Sequence, residues 1–156
     1  MNCCVKVRPV ERRELGQVYA IERESFDQPY SLWYLELLLS LSGGEYFLVS
    51  VANDDSITGY IVAVPIGENV CHIASIAVKK ACRRQRVATC LLQSLFELCI
   101  EDGRRIFVLE VEHTNMPALR LYRTNCFHPL RVIPNYYGPG RHALVMLRYE
   151  AYSLAL

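Results

Sequence analysis

An apolar, β-branched run, Ile73-Ala74-Ser75-Ile76-Ala77-Val78, gives way to Lys79-Lys80-Ala81-Cys82-Arg83-Arg84-Gln85-Arg86 and then to Val87-Ala88-Thr89-Cys90-Leu91-Leu92. The pattern predicts a strand, a short basic loop and a long amphipathic helix. A strand that delivers the chain to a helix N-terminus makes an anion site. The first-turn N–H groups have no partner within the helix, and the helix dipole adds roughly half a positive charge there. Lys79, Lys80, Arg83 and Arg84 crowd that entrance, with Arg86 just inside it. A phosphate-bearing cofactor suits such a place.

The elements around this feature read as one α/β layer structure. A first strand over residues 4–8 ends at Pro9, and residues 11–26 form a helix with Leu15, Val18, Tyr19, Glu22 and Phe26 on one face. Asp27-Gln28-Pro29-Tyr30 is a loop, and Ser31 caps a second helix that Gly43-Gly44 ends. Strands over 46–52 and 57–66 are joined by Asn53-Asp54-Asp55-Ser56, and Gly67-Glu68-Asn69 turns into the strand 70–78. The helix after the basic loop stops at Gly103. The near-continuous apolar run over 105–111 predicts a central strand covered on both faces. A short helix over 116–125 is capped by Asn115, with Pro117 in its first turn. Two last strands, 129–134 and 142–148, enclose a Tyr- and Gly-rich loop. The order is β-α-α-β-β-β-α-β-α-β-β, with a mixed sheet, and residues 1–156 read as a single domain.

Bulk properties narrow the function. The chain has 52% hydrophobic and 21% charged residues, a globular composition, and a net charge of +1. That balance gives no reason to expect nucleic acid or an acidic membrane as partner, so the basic loop is a local feature. No apolar run reaches the roughly 18 residues that cross a bilayer, and the first residues lack a signal-peptide pattern, so a cytoplasmic protein is expected. Seven cysteines without Cys-x-x-Cys pairs argue against a disulfide framework or a zinc site, and no metal is expected. Cys90 and Cys99 read as small hydrophobes inside a helix, with an adventitious or thermophile-type disulfide as the alternative.

Four segments in this order resemble the GNAT-type N-acetyltransferases: residues 72–78, Leu109-Glu110-Val111, Asn115-Met116-Pro117-Ala118-Leu119-Arg120-Leu121-Tyr122 and Asn135-Tyr136-Tyr137-Gly138. The resemblance covers nearly the whole chain. Within the superfamily it is greatest to the protein N-terminal acetyltransferases of the archaeal type and of the bacterial ribosomal-protein alanine type. It implies the GNAT fold, a central twisted mixed sheet flanked by helices, and acetyl-CoA as cofactor. The pyrophosphate would lie against the backbone of Arg84, Gln85, Arg86, Val87, Ala88 and Thr89, beside Arg83, with pantetheine along Ile76, Ala77 and Val78. Neighbouring parallel strands would part to admit it. The family pattern Gln/Arg-x-x-Gly-x-Gly/Ala reads Arg83-Arg84-Gln85-Arg86-Val87-Ala88 here. Arg86 therefore stands where the family has a glycine. Pointing outward it adds charge for the phosphates; pointing inward it obstructs them. The outward direction is expected.

The resemblance also assigns chemistry. Glu110 and His72 would take the proton from the attacking amine, directly or through water. Tyr122 would give a proton or hydrogen bond to the departing sulfur. The N–H of Ile76 or Ala77 could polarise the thioester carbonyl. Asn115 would bind the cofactor or steady its pantetheine arm. Phe26, Gln28, Pro29 and Tyr30 match the loop around the first residue of a peptide substrate, and Tyr136 and Tyr137 match the facing loop that holds its backbone. Glu112 and His113 read as surface residues at a strand end. Arg141-His142 stands where the family has an acidic residue. The implied activity is direct acetyl transfer to the α-amine of protein or peptide N-termini, with a helper subunit or ribosome association left open. The alternatives are a GNAT that acetylates a small amine or a lysine side chain, and a non-catalytic CoA-binding module.

Overall fold

The computed structural model describes residues 5–152. Seven strands and four helices follow in the expected order: β1 (Lys6–Pro9), α1 (Leu15–Ser25), α2 (Leu32–Leu41), β2 (Phe47–Val51), β3 (Ile57–Ile66), β4 (Val70–Val78), α3 (Val87–Glu101), β5 (Ile106–Glu112), α4 (Met116–Thr124), β6 (His128–Ile133) and β7 (Ala143–Tyr149). The first strand begins later than expected, and residue 4 lies outside the described residues. The strands form one mixed sheet in the order β1-β2-β3-β4-β5-β7-β6. Every pairing is antiparallel except β4 with β5.

Helices cover both faces of this sheet. Val18 and Ile21 of α1 and Leu35 and Leu38 of α2 pack with Phe47 and Tyr60 on one face. Leu91, Leu92, Leu95 and Phe96 of α3 pack with Phe107 and Phe127 on the other. Burial of each such side chain contributes about 1.5–3 kcal/mol. Strand β3 is therefore buried from Ile57 through Ala63. At Gly59 a Cβ atom would come within 2.9 Å of the Ala77 carbonyl and 3.2 Å of a Leu91 methyl, so glycine lets α3 sit close to the sheet.

Three expectations need correction. The segment 11–26 is not one helix. A 3-10 turn over Arg12–Glu14 precedes α1, because the Glu14 carboxylate turns back to accept the Glu11 N–H at 2.8 Å and pairs with Arg8 at 2.6 Å. Strand β5 is not covered throughout: Phe107, Leu109 and Val111 are buried, while the residues between them are half-buried. The period of two puts Ile106, Val108, Glu110 and Glu112 on one, less covered face of the sheet. The β4–β5 pairing ends at His72 with Val108, although β4 runs on to Val78 and β5 to Glu112. Finally, Cys90 is not a free thiol but is disulfide-bonded, whereas Cys71, Cys82, Cys99 and Cys126 are free.

Candidate active site

The parting of β4 from β5 opens a cavity of about 470 Å³. Ile73, Ala74, Ser75 and Ile76 line it from β4, and Leu109, Glu110, Val111 and Glu112 from β5. Two unpaired strand edges meet there, so backbone N–H and C=O groups face a shared space without a ladder partner. A β-bulge adds to this. Val62 pairs with Ser75 and Ala63 with Ile73, which leaves Ala74 opposite no residue of β3. The Tyr30 hydroxyl donates to the freed Ala74 carbonyl at 3.3 Å.

The expected catalytic groups converge on the cavity. Glu110 lines it, and its Oε2 lies 2.7 Å from His72 Nε2. Parallel register explains the meeting: His72 is level with Val108, and Glu110 is two residues further on the same face of the sheet. Their side chains keep 29% and 22% exposure, enough for contact with a ligand or water in the cavity. His72 does not itself line the cavity and reaches it through Glu110. Tyr122 lines the cavity from α4, and burial pushes its phenol above the ordinary range. It stays protonated, as a hydrogen-bond donor must. Asn115 caps α4 by accepting the Ala118 N–H at 3.3 Å and also lines the cavity.

The aromatic loops close the outer side. Phe26, Gln28, Tyr30, Tyr136 and Tyr137 all line the cavity. Burial is the main cause that raises the Tyr30 phenol to about 12, and it raises those of Tyr136 and Tyr137 as well. Pro29 is exposed and stands off the lining. It therefore shapes the loop and does not form the apolar wall expected of it. Glu112 also departs from expectation, since it lines the cavity and is clamped by Arg141 through two bonds of 2.8 Å. That bidentate pair holds the carboxylate below its usual range. Arg141 thus anchors the Tyr136-Tyr137 loop to the end of β5. His113 stays exposed, its ring beside that of His142.

The basic loop leads from this cavity to α3. Arg86 is the N-cap of α3 with φ at +62°, and Arg84 is left-handed as well, at +61°. The family glycine that Arg86 replaces is thus explained by backbone conformation, because glycine adopts positive φ without steric cost. Arg86 is exposed. The first helical bond runs from Cys90 N–H to the Arg86 carbonyl, and the amides of Val87, Ala88 and Thr89 precede it at the positive end of the dipole. An anionic phosphate group suits that cradle. Arg83 is spent partly on the protein: Nε donates to the Val78 carbonyl at 3.0 Å and another guanidinium nitrogen to Ser25 at 3.2 Å. Gln85 is exposed beside it. Ala77 and Val78 pair with Tyr60 and Gly59 of β3 and do not line the cavity, so the lining segment of β4 is 73–76 and shares only Ile76 with the expected one.

Sequence reasoning passed over Glu22 and Ser75, which line the same cavity. A signal was present. Glu22 falls on the apolar stripe of its helix, where a carboxylate must find buried partners.

A family model for the acetyltransferase (GNAT) family matches residues 14–126. The chain is 34% identical to a putative ribosomal protein bS18-alanine N-acetyltransferase of Bacillus subtilis over 149 residues, covering 94% of this chain and 96% of that protein. It is 28% identical to an N-alpha-acetyltransferase of Saccharolobus solfataricus, with 91% of each chain covered. The crystal structure of Ard1 from Thermoplasma volcanium superposes with a TM-score of 0.90 at 26% identity, covering 96% of this chain and 99% of that one. With two parallel strands parted beside a basic helix N-terminus, and a family match that spans both, this chain belongs to the GNAT acetyltransferase family.

Proposed function

We propose that the protein transfers an acetyl group from acetyl-CoA to the α-amino group of protein or peptide N-termini. The observation that carries the reading is the Glu110–His72 pair, 2.7 Å apart, whose Glu110 lines a cavity together with Tyr30, Tyr136 and Tyr137. Names of relatives at 34% and 28% identity over more than nine-tenths of the chain point the same way.

Acetyl-CoA supplies an activated acetyl thioester. The residues of the chain do the rest. The amides of Val87, Ala88 and Thr89, with the basic loop, hold phosphate groups. The open edge of β4 at Ile76 offers backbone partners to an extended arm. Asp27, Glu110 and Glu112 line the cavity against the single guanidinium of Arg141. That excess of carboxylates draws in an ammonium group, the form in which an N-terminus arrives at neutral pH. Glu110, steadied by His72, takes the proton and frees the amine to attack. Tyr122, kept protonated by burial, donates toward the leaving sulfur. The paired tyrosine loop, fixed by Arg141 to Glu112, leaves a slot suited to an extended chain end.

Release of CoA from acetyl-CoA with two matched peptides tests the reading. One has a free N-terminus and no lysine; the other is N-terminally blocked with an internal lysine. Turnover on the first alone is expected, and turnover on the second alone refutes it.

A further inference from the structure

Glu22 is 2% exposed, and none of the ion pairs among the described residues includes it. Its three polar partners lie on three other segments. Oε1 accepts the backbone N–H of Tyr30 at 2.9 Å, in the loop before α2. Oε2 accepts from the Tyr60 hydroxyl of β3 and from the Ser75 hydroxyl of β4 at 3.4 Å. The Tyr60 and Ser75 oxygens lie 2.9 Å apart, and Tyr30 closes the circuit through the Ala74 carbonyl at the bulge. Burying a carboxylate without a cation is costly, and an apolar side chain at this place on α1 would pack more cheaply. Desolvation accordingly raises its titration point. What the carboxylate contributes is geometry: one group sets both the substrate loop and the bulged stretch of β4.

We propose that Glu22 is a positioning residue for the peptide end of the site, holding Tyr30 and the Ala74–Ser75 bulge in the arrangement that receives the substrate backbone. Glu22, Tyr30, Ala74 and Ser75 all line the cavity that Glu110 enters, so a shift of this circuit moves the walls against which the amine is aligned. The anion cradle at α3 lies outside the circuit. Peptide affinity should therefore suffer and acetyl-CoA affinity should not. The kinetic part of this inference rests on the acetyl-transfer reading.

The test compares Glu22→Ala with Glu22→Gln. Glutamine keeps an oxygen toward the Tyr30 N–H and turns its amide toward the Ser75 and Tyr60 oxygens, both able to accept. With a free-N-terminus peptide, Glu22→Ala should raise the peptide KM about tenfold or more, with the acetyl-CoA KM within about twofold, while Glu22→Gln stays within about threefold of the parent. Unchanged peptide KM in Glu22→Ala overturns the proposal. So does a glutamine variant as poor as alanine, because charge and not geometry would then matter. Should Glu22→Ala fail to fold, Tyr60→Phe removes one donor and keeps the ring; it should raise peptide KM in the same direction, and an unchanged value overturns the proposal. Amide hydrogen exchange separates this inference from the activity itself. Exchange at Tyr30 should quicken in Glu22→Ala and recover in Glu22→Gln even if no peptide is acetylated, and equal exchange in all three proteins overturns it.

Discussion

Replacing Glu110 by glutamine asks how much work its carboxylate does. The substitution keeps size and leaves a hydrogen bond to His72 within reach of the 2.7 Å contact, so the strands should not move. Two roles predict different magnitudes. An N-terminal amine with a pKa of about 7.7–8.0 is neutral in roughly one molecule in ten at pH 7. If Glu110 only helps to produce the neutral form, its loss costs about tenfold at pH 7, and the deficit vanishes near pH 9, where water alone deprotonates the amine. If it takes the proton as the new bond forms, the loss is about 10²–10⁴-fold, as for a positioned general base. The geometry favours the second. Glu110 lines the cavity, His72 bonds to it from outside the lining, and Tyr122 lines the same space. We therefore expect kcat/KM for a free-N-terminus peptide to fall at least about 100-fold at pH 7 and to remain at least about tenfold down at pH 9. Acetyl-CoA affinity should change by less than about twofold. A deficit below tenfold at pH 7 that disappears by pH 9 refutes the reasoning.

Removing the Tyr122 hydroxyl in Tyr122→Phe should lower kcat about 100-fold with little change in thermal midpoint, because the ring keeps its packing against Phe127; normal turnover removes the hydroxyl from the mechanism. Gly59→Ala should cost about 1–3 kcal/mol in denaturant unfolding, since the added Cβ meets the Ala77 carbonyl at 2.9 Å, and a loss near zero would show that β3 and α3 can move apart. Glu14, drawn to about 2 by Arg8, is a depressed acid, so its stabilisation is present above about pH 4.5 and lost as pH falls toward 2. With Arg8 still 27% exposed and screened, Glu14→Gln should cost about 1–2 kcal/mol at pH 7 and much less at pH 2.5; an equal cost at both contradicts the ion pair.

The element order was legible because each helix and strand carries its own period and its own stop signal. Ser31 caps α2 through the Tyr34 N–H, Gly103 turns at φ +83° after α3, and β3 and β4 have the predicted bounds. The strand–basic loop–helix unit was legible for the same reason. What escaped depends on contacts between distant segments. The parting of β4 from β5 leaves no mark in either strand. The Glu112–Arg141 clamp spans 29 positions and cannot be inferred from an acidic residue at a strand end. The Glu22 circuit draws on α1, the next loop, β3 and β4; only the misplaced charge on an apolar stripe announced it. The break at residues 12–14 arose from Arg8, a strand residue that no helical pattern includes.

One peptide carrying both a free N-terminus and an internal lysine puts the central claim to its most direct test. After incubation with the protein and acetyl-CoA, fragmentation mass spectrometry locates the added acetyl group. The account predicts acetyl on the α-amine and none on the lysine. Acetyl on the lysine with the N-terminus left free would contradict it.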